Sequence, residues 1–215
     1  MVIDFSTDMS LNEFREYVYS ITDWSDVYIP LLHITTSLCE CHDIADKGLI
    51  PIKDVLQDCQ RGLGEFLLNN DVRIDYRKRE VVIGSYKVSF DSCPILQSVL
   101  YRKVYTLPIY DKEYGELNYC PEIITELGNR FGGKGMEIKK KYVSIAKPYK
   151  VSLCVPTGLI NKTESRIDYW EKGTGEKGIP GFLYLLKRFL FEKRGGLEVV
   201  FDTIPREYIV GIERI

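Results

Sequence analysis

The hydrophobic period of this chain changes more than once, and that constrains its fold most. Leu11, Phe14, Val18 and Ile21 recur at helical spacing behind Ser10-x-x-Glu13, a capping box that opens a helix over 10–22. Asp26 to Ile34 is rich in Val, Tyr, Ile and Leu and reads as a strand. Ser37-x-x-Glu40 is a second capping box, with Leu38, Cys41, Ile44 and Ala45 on one side and a stop at Lys47-Gly48. Val55, Leu56, Cys59, Leu63, Phe66 and Leu67 mark a third helix, weakened by Gly62 and Gly64. The period then becomes two: Val72, Ile74 and Tyr76 alternate with polar residues, followed by Val81–Ile83, Gly84-Ser85 and Tyr86–Phe90, a hairpin or meander.

Pro94 and Pro121 fit first helical turns and introduce helices near 94–102 and 121–128. Met136–Ile138 reads as a short strand after a glycine loop, and Lys139–Ala146 as a short helix. Val151, Leu153 and Val155 alternate, Ile179–Lys193 is a strongly apolar helix, and Leu197–Phe201 and Tyr208–Glu213 are closing strands. Strands cluster apart from helices, which predicts an α+β fold. No repeat or Pro/Gly/Ser-rich linker divides the 215 residues, so they read as one domain, 1–215, with residues 1–25 as a helical segment packed on it.

Charge excludes some partners. With 29 basic and 31 acidic residues, the chain has no global positive field for a polyanion. The six cysteines lack C-x-x-C spacing and no basic leader precedes them, so the expectation is reduced thiols in the cytoplasm. Cys39-x-Cys41-His42 crowds one helical turn without a second ligand cluster, and no metal is expected. No apolar run approaches a bilayer span, so no membrane partner is expected.

Two polar residues interrupt apolar strands. His33, near the end of its strand beside Thr35 and Thr36, is either a strand-end residue satisfied by backbone or a ligand holder. A neutral imidazole offers one donor and one acceptor, which suits adjacent ribose hydroxyls. Glu198, in Leu197-Glu-Val-Val-Phe201, is either a solvent-facing carboxylate or a group that stabilises a developing oxocarbenium ion. Gly128-Asn-Arg-Phe-Gly-Gly133-Lys134-Gly135 nearly matches a phosphate-binding P-loop. It lacks the Ser/Thr after the lysine and the strand before the loop. Lys139–Lys141 reads as a solvated helix face. Arg73, Arg77 and Arg79 flank a hairpin with Tyr76 and Tyr86. They form either an exposed turn or a weak phosphate-and-stacking patch.

Tyr28-Ile-Pro-Leu-Leu-His33-Ile-Thr-Thr36, a helix, and Lys47-Gly-Leu-Ile-Pro51 resemble the opening signature of ADP-ribosyltransferase-like proteins. That group includes DarT-type toxins, tRNA 2′-phosphotransferases and abortive-phage-infection proteins of the AbiGi type. Val88–Ile95 and Arg130–Tyr142, followed by Pro148–Val151, look like the middle of the AbiGi type. Leu197–Ile209 looks like the group's closing glutamate strand. The resemblance implies a split β-sandwich of two small sheets with flanking helices, and NAD as substrate. It implies that His33 and Thr35, with Thr36 on the same turn, hold the NAD ribose, that Glu198 is catalytic, and that Tyr86, Ser89 and Phe90 are candidates for the middle motif. The implied activity is mono-ADP-ribosyl transfer to a nucleic acid or protein target in a toxin or anti-phage system, with an antitoxin as possible partner. The alternatives are an RNA 2′-phosphotransferase, with Arg61, Arg73, Arg102 and Arg130 as phosphate ligands, or a catalytically silent binding module.

Overall fold

A computed structural model describes residues 1–37, 44–57, 62–108, 120–192 and 197–215. It is a mixed α+β structure with two small antiparallel sheets and flanking helices. The chain divides into two compact units. The first comprises the described residues of Met1–His33, Val104–Gly115 and Val151–Ile212, and the second those of Ile34–Lys103, Glu116–Lys150 and Glu213–Ile215.

A five-stranded sheet, most of whose residues fall in the first unit, comprises β1 (Tyr28–Thr36), β5 (Val104–Pro108), β6 (Pro148–Pro156), β7 (Val199–Phe201) and β8 (Ile209–Arg214). The strand order is β7-β5-β1-β6-β8. The β5 strand lies antiparallel to both neighbours, with Leu31 opposite Pro108, Leu32 opposite Leu107, Tyr105 opposite Val200 and Thr106 opposite Val199. Alternation in β6 buries Val151, Leu153 and Val155, as the sequence implies. Helix α1 (Leu11–Ser20) begins at the expected capping box: Ser10 Oγ accepts from the Glu13 amide, and the Glu13 carboxylate accepts from the Ser10 amide. Its buried Phe14 and Val18 pack toward α9 (Gly178–Phe191), whose Phe182, Leu183, Leu185 and Leu186 are buried. Lys187 of α9 is buried too, and its ammonium donates to the Phe5 and Thr7 carbonyls. Desolvation pushes its pKa down, against a smaller upward pull from Asp4 and Asp8.

The two edges of this sheet are treated differently. At β7 the Val200 carbonyl accepts from the Asn161 amide (2.7 Å), and the Val200 amide donates to Ser165 Oγ (2.9 Å). A loop thus supplies the hydrogen bonds that a further strand would have made. At the β8 edge Val210 and Ile212 stand 66% and 41% exposed.

The second unit holds the three-stranded meander β2 (Val72–Asp75), β3 (Glu80–Ile83) and β4 (Tyr86–Ser89). One face buries Val72, Val81 and Ile83. Helices α4 (Gly62–Asn69), α5 (Pro94–Leu100), α6 (Glu122–Arg130) and α7 (Gly132–Ile145) contribute Leu63, Phe66, Leu96, Leu100, Ile124, Leu127, Ile138 and Tyr142 to the same core. Phe66 meets Tyr142 edge-on, with ring centroids 5.2 Å apart.

Several sequence expectations are corrected. Met136–Ile138 is not a strand: α7 runs unbroken from Gly132 to Ile145. Three glycines lower its intrinsic helicity, and packing against α6 overrides that. A Cβ on Gly135 would stand 2.0 Å from the Leu127 carbonyl oxygen, so only glycine permits this approach. The third helix is two helices, α3 (Ile52–Gln57) and α4, and Gly62 opens α4 with φ +56°. Pro94 occupies the first turn of α5 as expected, whereas Pro121 is the cap of α6. Leu197 and Glu198 precede β7. The strand β5 and the helix α8 (Ile167–Thr174) come in addition to the expected elements. The helix α2 (Ile44–Lys47) stops at Gly48, with φ +75°, as expected. Glu40 of its expected capping box, the Cys39-x-Cys41-His42 group, Cys59 and Arg61 lie outside the described residues, while Ser37 Oγ accepts from the Lys147 amide.

Candidate functional site

His33 and Glu198 both belong to the first unit, on the β1 and β7 sides of β5. The link between them is short. The His33 ring Nδ1 lies 2.8 Å from the Tyr105 carbonyl oxygen. A carbonyl only accepts, so Nδ1 carries the proton, and in the neutral ring Nε2 is then an acceptor. Tyr105 faces Val200 and Thr106 faces Val199 across the β5–β7 ladder, and the Thr106 hydroxyl donates to the Val199 carbonyl at 2.8 Å. Glu198 is the residue before Val199 and is exposed. Two inter-strand gaps separate the two backbones, roughly 10 Å at the usual spacing.

Direction matters as much as distance. Residues directly opposed in an antiparallel ladder share a face. Thr106 and Val199 therefore lie on one face, and Leu32 and Leu107 on the other. His33 follows Leu32 and turns to the Thr106–Val199 face. Glu198 sits outside the strand, where ladder pairing does not fix its direction.

The other candidates fall in the second unit. Thr35 and Thr36 are buried, and the Thr36 hydroxyl is hydrogen-bonded to the Tyr142 hydroxyl in the helical core. Tyr86 pairs with Ile83 beside the Gly84-Ser85 turn and is 61% exposed. Arg73, opposite Val82, lies on the solvent face of the meander with Lys87. That face also carries acids. Lys78 pairs with Asp75 (3.7 Å), Lys87 with Glu80 (3.8 Å) and Arg79 with Asp91 (2.9 Å). Arg79 is further fixed by Gln97 and by the Phe90 ring. The hairpin is thus locally neutralised. Arg73 and Arg77 remain the exposed guanidinium groups at this end.

The near P-loop is a helix–helix corner. Phe131 alone separates α6 from α7, and Gly132 turns the chain with φ +55°. Lys134 Nζ lies 2.9 Å from where a Cβ on Gly84 would be, so this lysine crosses the β3–β4 turn. Cys93 is buried, Cys120 and Cys154 are half-buried, and burial raises the pKa of the latter two thiols. Among the described residues no group of three or more His, Cys, Asp or Glu is placed to hold a metal ion. Among the same residues no helix is long and apolar enough to cross a membrane.

The residue that sequence reasoning missed is Tyr105, whose carbonyl orients His33. Its strand, Val104-Tyr-Thr-Leu-Pro108, carries an ordinary β signal of β-branched and aromatic residues. Comparisons with family models, curated proteins and solved structures find no match to this chain.

Proposed function

We propose that this chain is an NAD-dependent mono-ADP-ribosyltransferase acting on a macromolecule. The observation that carries the reading is that His33, on β1, and Glu198, the residue just before β7, lie in one unit with the single strand β5 between β1 and β7. These are the two residues that the sequence resemblance assigns to ribose binding and catalysis.

In the proposed reaction Nε2 of His33 accepts a hydrogen bond from a ribose hydroxyl of NAD. The bond between ribose C1′ and the nicotinamide nitrogen breaks, and its electron pair leaves with nicotinamide. The Glu198 carboxylate stabilises the positive charge spreading over C1′ and the ring oxygen. A nucleophile on the target then bonds to C1′ and gives up its proton, with Glu198 as the general base. A nucleic-acid target rests on the resemblance and on Arg73 and Arg77. The ion pairs along the hairpin weaken that part, so a protein target stands beside it.

One observation favours a second reading, a catalytically silent binding module. Regular alternation carried back from Val199 turns Glu198 to the Leu32–Leu107 face, away from His33. Labelled NAD separates the two. The transferase reading expects label transfer to cell extract and nicotinamide release, both falling about 10²- to 10³-fold in Glu198→Gln. It also expects NAD to raise the melting temperature of wild type. Absence of transfer, release and NAD-dependent stabilisation would rule it out.

A further inference from the structure

The two edges of the five-stranded sheet differ in a way that points to a second copy of this chain. Edge strands expose unpaired main-chain groups, and proteins guard them with charge, proline, a bulge or a covering segment. The β7 edge is guarded: Asn161 and Ser165 take up both main-chain groups of Val200. At the opposite edge, β8 has no proline and is uncharged over Ile209-Val-Gly-Ile212, with charge only at its end, Glu213 and Arg214.

The exposed hydrophobic residues of β8, Val210 and Ile212, lie on the apolar side of the sheet. A Cβ on Gly211 would sit 3.9 Å from the Ser152 Cβ, so Gly211 and Ser152 share a face. Val210 and Ile212 then share the opposite face with Val151 and Leu153, which are fully buried or nearly so. The hydrophobic face of β6 thus continues onto β8 and is open there.

We propose that β8 pairs antiparallel with β8 of a second copy, about a two-fold axis at Gly211. The strand's own order supports this occupant. That axis sets Val210 opposite Ile212 twice, on the apolar face. Ile209 meets Glu213, and no residue faces a like charge. The sheet becomes continuous across ten strands. Two short apolar pairs fall well below the roughly 800 Å² per partner of a stable interface, so the dimer is weak, with Kd on the order of 10⁻⁴ M.

Sedimentation equilibrium of the full chain between roughly 10 μM and 1 mM tests this, using wild type, Val210→Lys and Val143→Lys. Val143 is exposed in the second unit and serves as the control surface. Wild type and Val143→Lys are expected to pass from monomer to dimer. Val210→Lys is expected to weaken association at least tenfold, because each dimer buries the new ammonium twice. Val210 is exposed in the single chain, so the variant should keep the wild-type circular dichroism spectrum and melting temperature. A wild type that stays monomeric throughout, or a dimer that Val210→Lys leaves intact, overturns the proposal.

Discussion

Alanine at Gly135 should split helix α7 from helix α6, and its neighbours supply internal controls. The alanine Cβ would stand 2.0 Å from the Leu127 carbonyl oxygen and 2.8 Å from its carbon. That oxygen already accepts the Phe131 amide that caps α6, so it has little freedom to turn away. An ordinary C···O contact of roughly 3.3 Å requires the helices to part by more than ~1 Å. Overpacking of this kind costs about 3 kcal/mol when the obstacle is backbone, against about 1 kcal/mol gained in helix propensity. The expected net loss is about 2 kcal/mol. Gly133 lies two residues earlier in the same helix, and a Cβ added there would meet nothing within 4 Å, so Gly133→Ala should gain up to about 1 kcal/mol. Gly132 is equally open but sits at φ +55°, and Gly132→Ala should lose about 1 kcal/mol. All three changes affect the unfolded chain alike, so their differences report the folded state. The assay must read the second unit. Both tryptophans, Trp24 and Trp170, lie in the first, so amide hydrogen exchange along α6 and α7 is the suitable probe. If Gly135→Ala falls within about 0.5 kcal/mol of Gly133→Ala, the close-approach argument is wrong.

Other expectations follow from the first unit. Ser165→Ala removes the acceptor of the buried Val200 amide and should cost about 1–3 kcal/mol in urea unfolding, with faster exchange at Val200. Equal protection in mutant and wild type would refute that role. The folded-state pKa of Lys187 is lowered by burial, so the unfolded chain binds more protons between the folded and unfolded values. Stability should therefore rise with pH across that window below 10.5, and stay level beneath it. Measured against Lys187→Met, the wild-type advantage should grow toward high pH, and a flat difference would contradict the assignment.

Legibility in the sequence follows the range of the forces involved. Local signals hold where local chemistry decides. The Ser10–Glu13 box sets the start of α1, and alternation through Val151, Leu153 and Val155 marks a strand half-buried on one face. The meander is readable because each turn carries its own polar or glycine residues. The failures need contacts between distant residues. Met136–Ile138 looks extended because glycines precede it, yet those glycines allow α7 to lie against α6. Thr36 looks like a hydroxyl at a turn, and its partner Tyr142 lies far along the chain. His33 is visible as a polar residue in an apolar strand, but only the fold reveals Tyr105 as its anchor. The basic hairpin is visible as charge, while its pairing with Asp75, Glu80 and Asp91 depends on register and turn geometry.

Each compact unit is assembled from separated stretches of chain, and this has a consequence for biosynthesis. The segment carrying β1 leaves the ribosome well before those carrying β7 and β8. At translation speeds of roughly 5–20 residues per second, this central strand precedes the edge strands of its sheet by on the order of ten seconds. No single cut in the chain would release either half whole, so deletion series are expected to yield aggregates rather than working fragments.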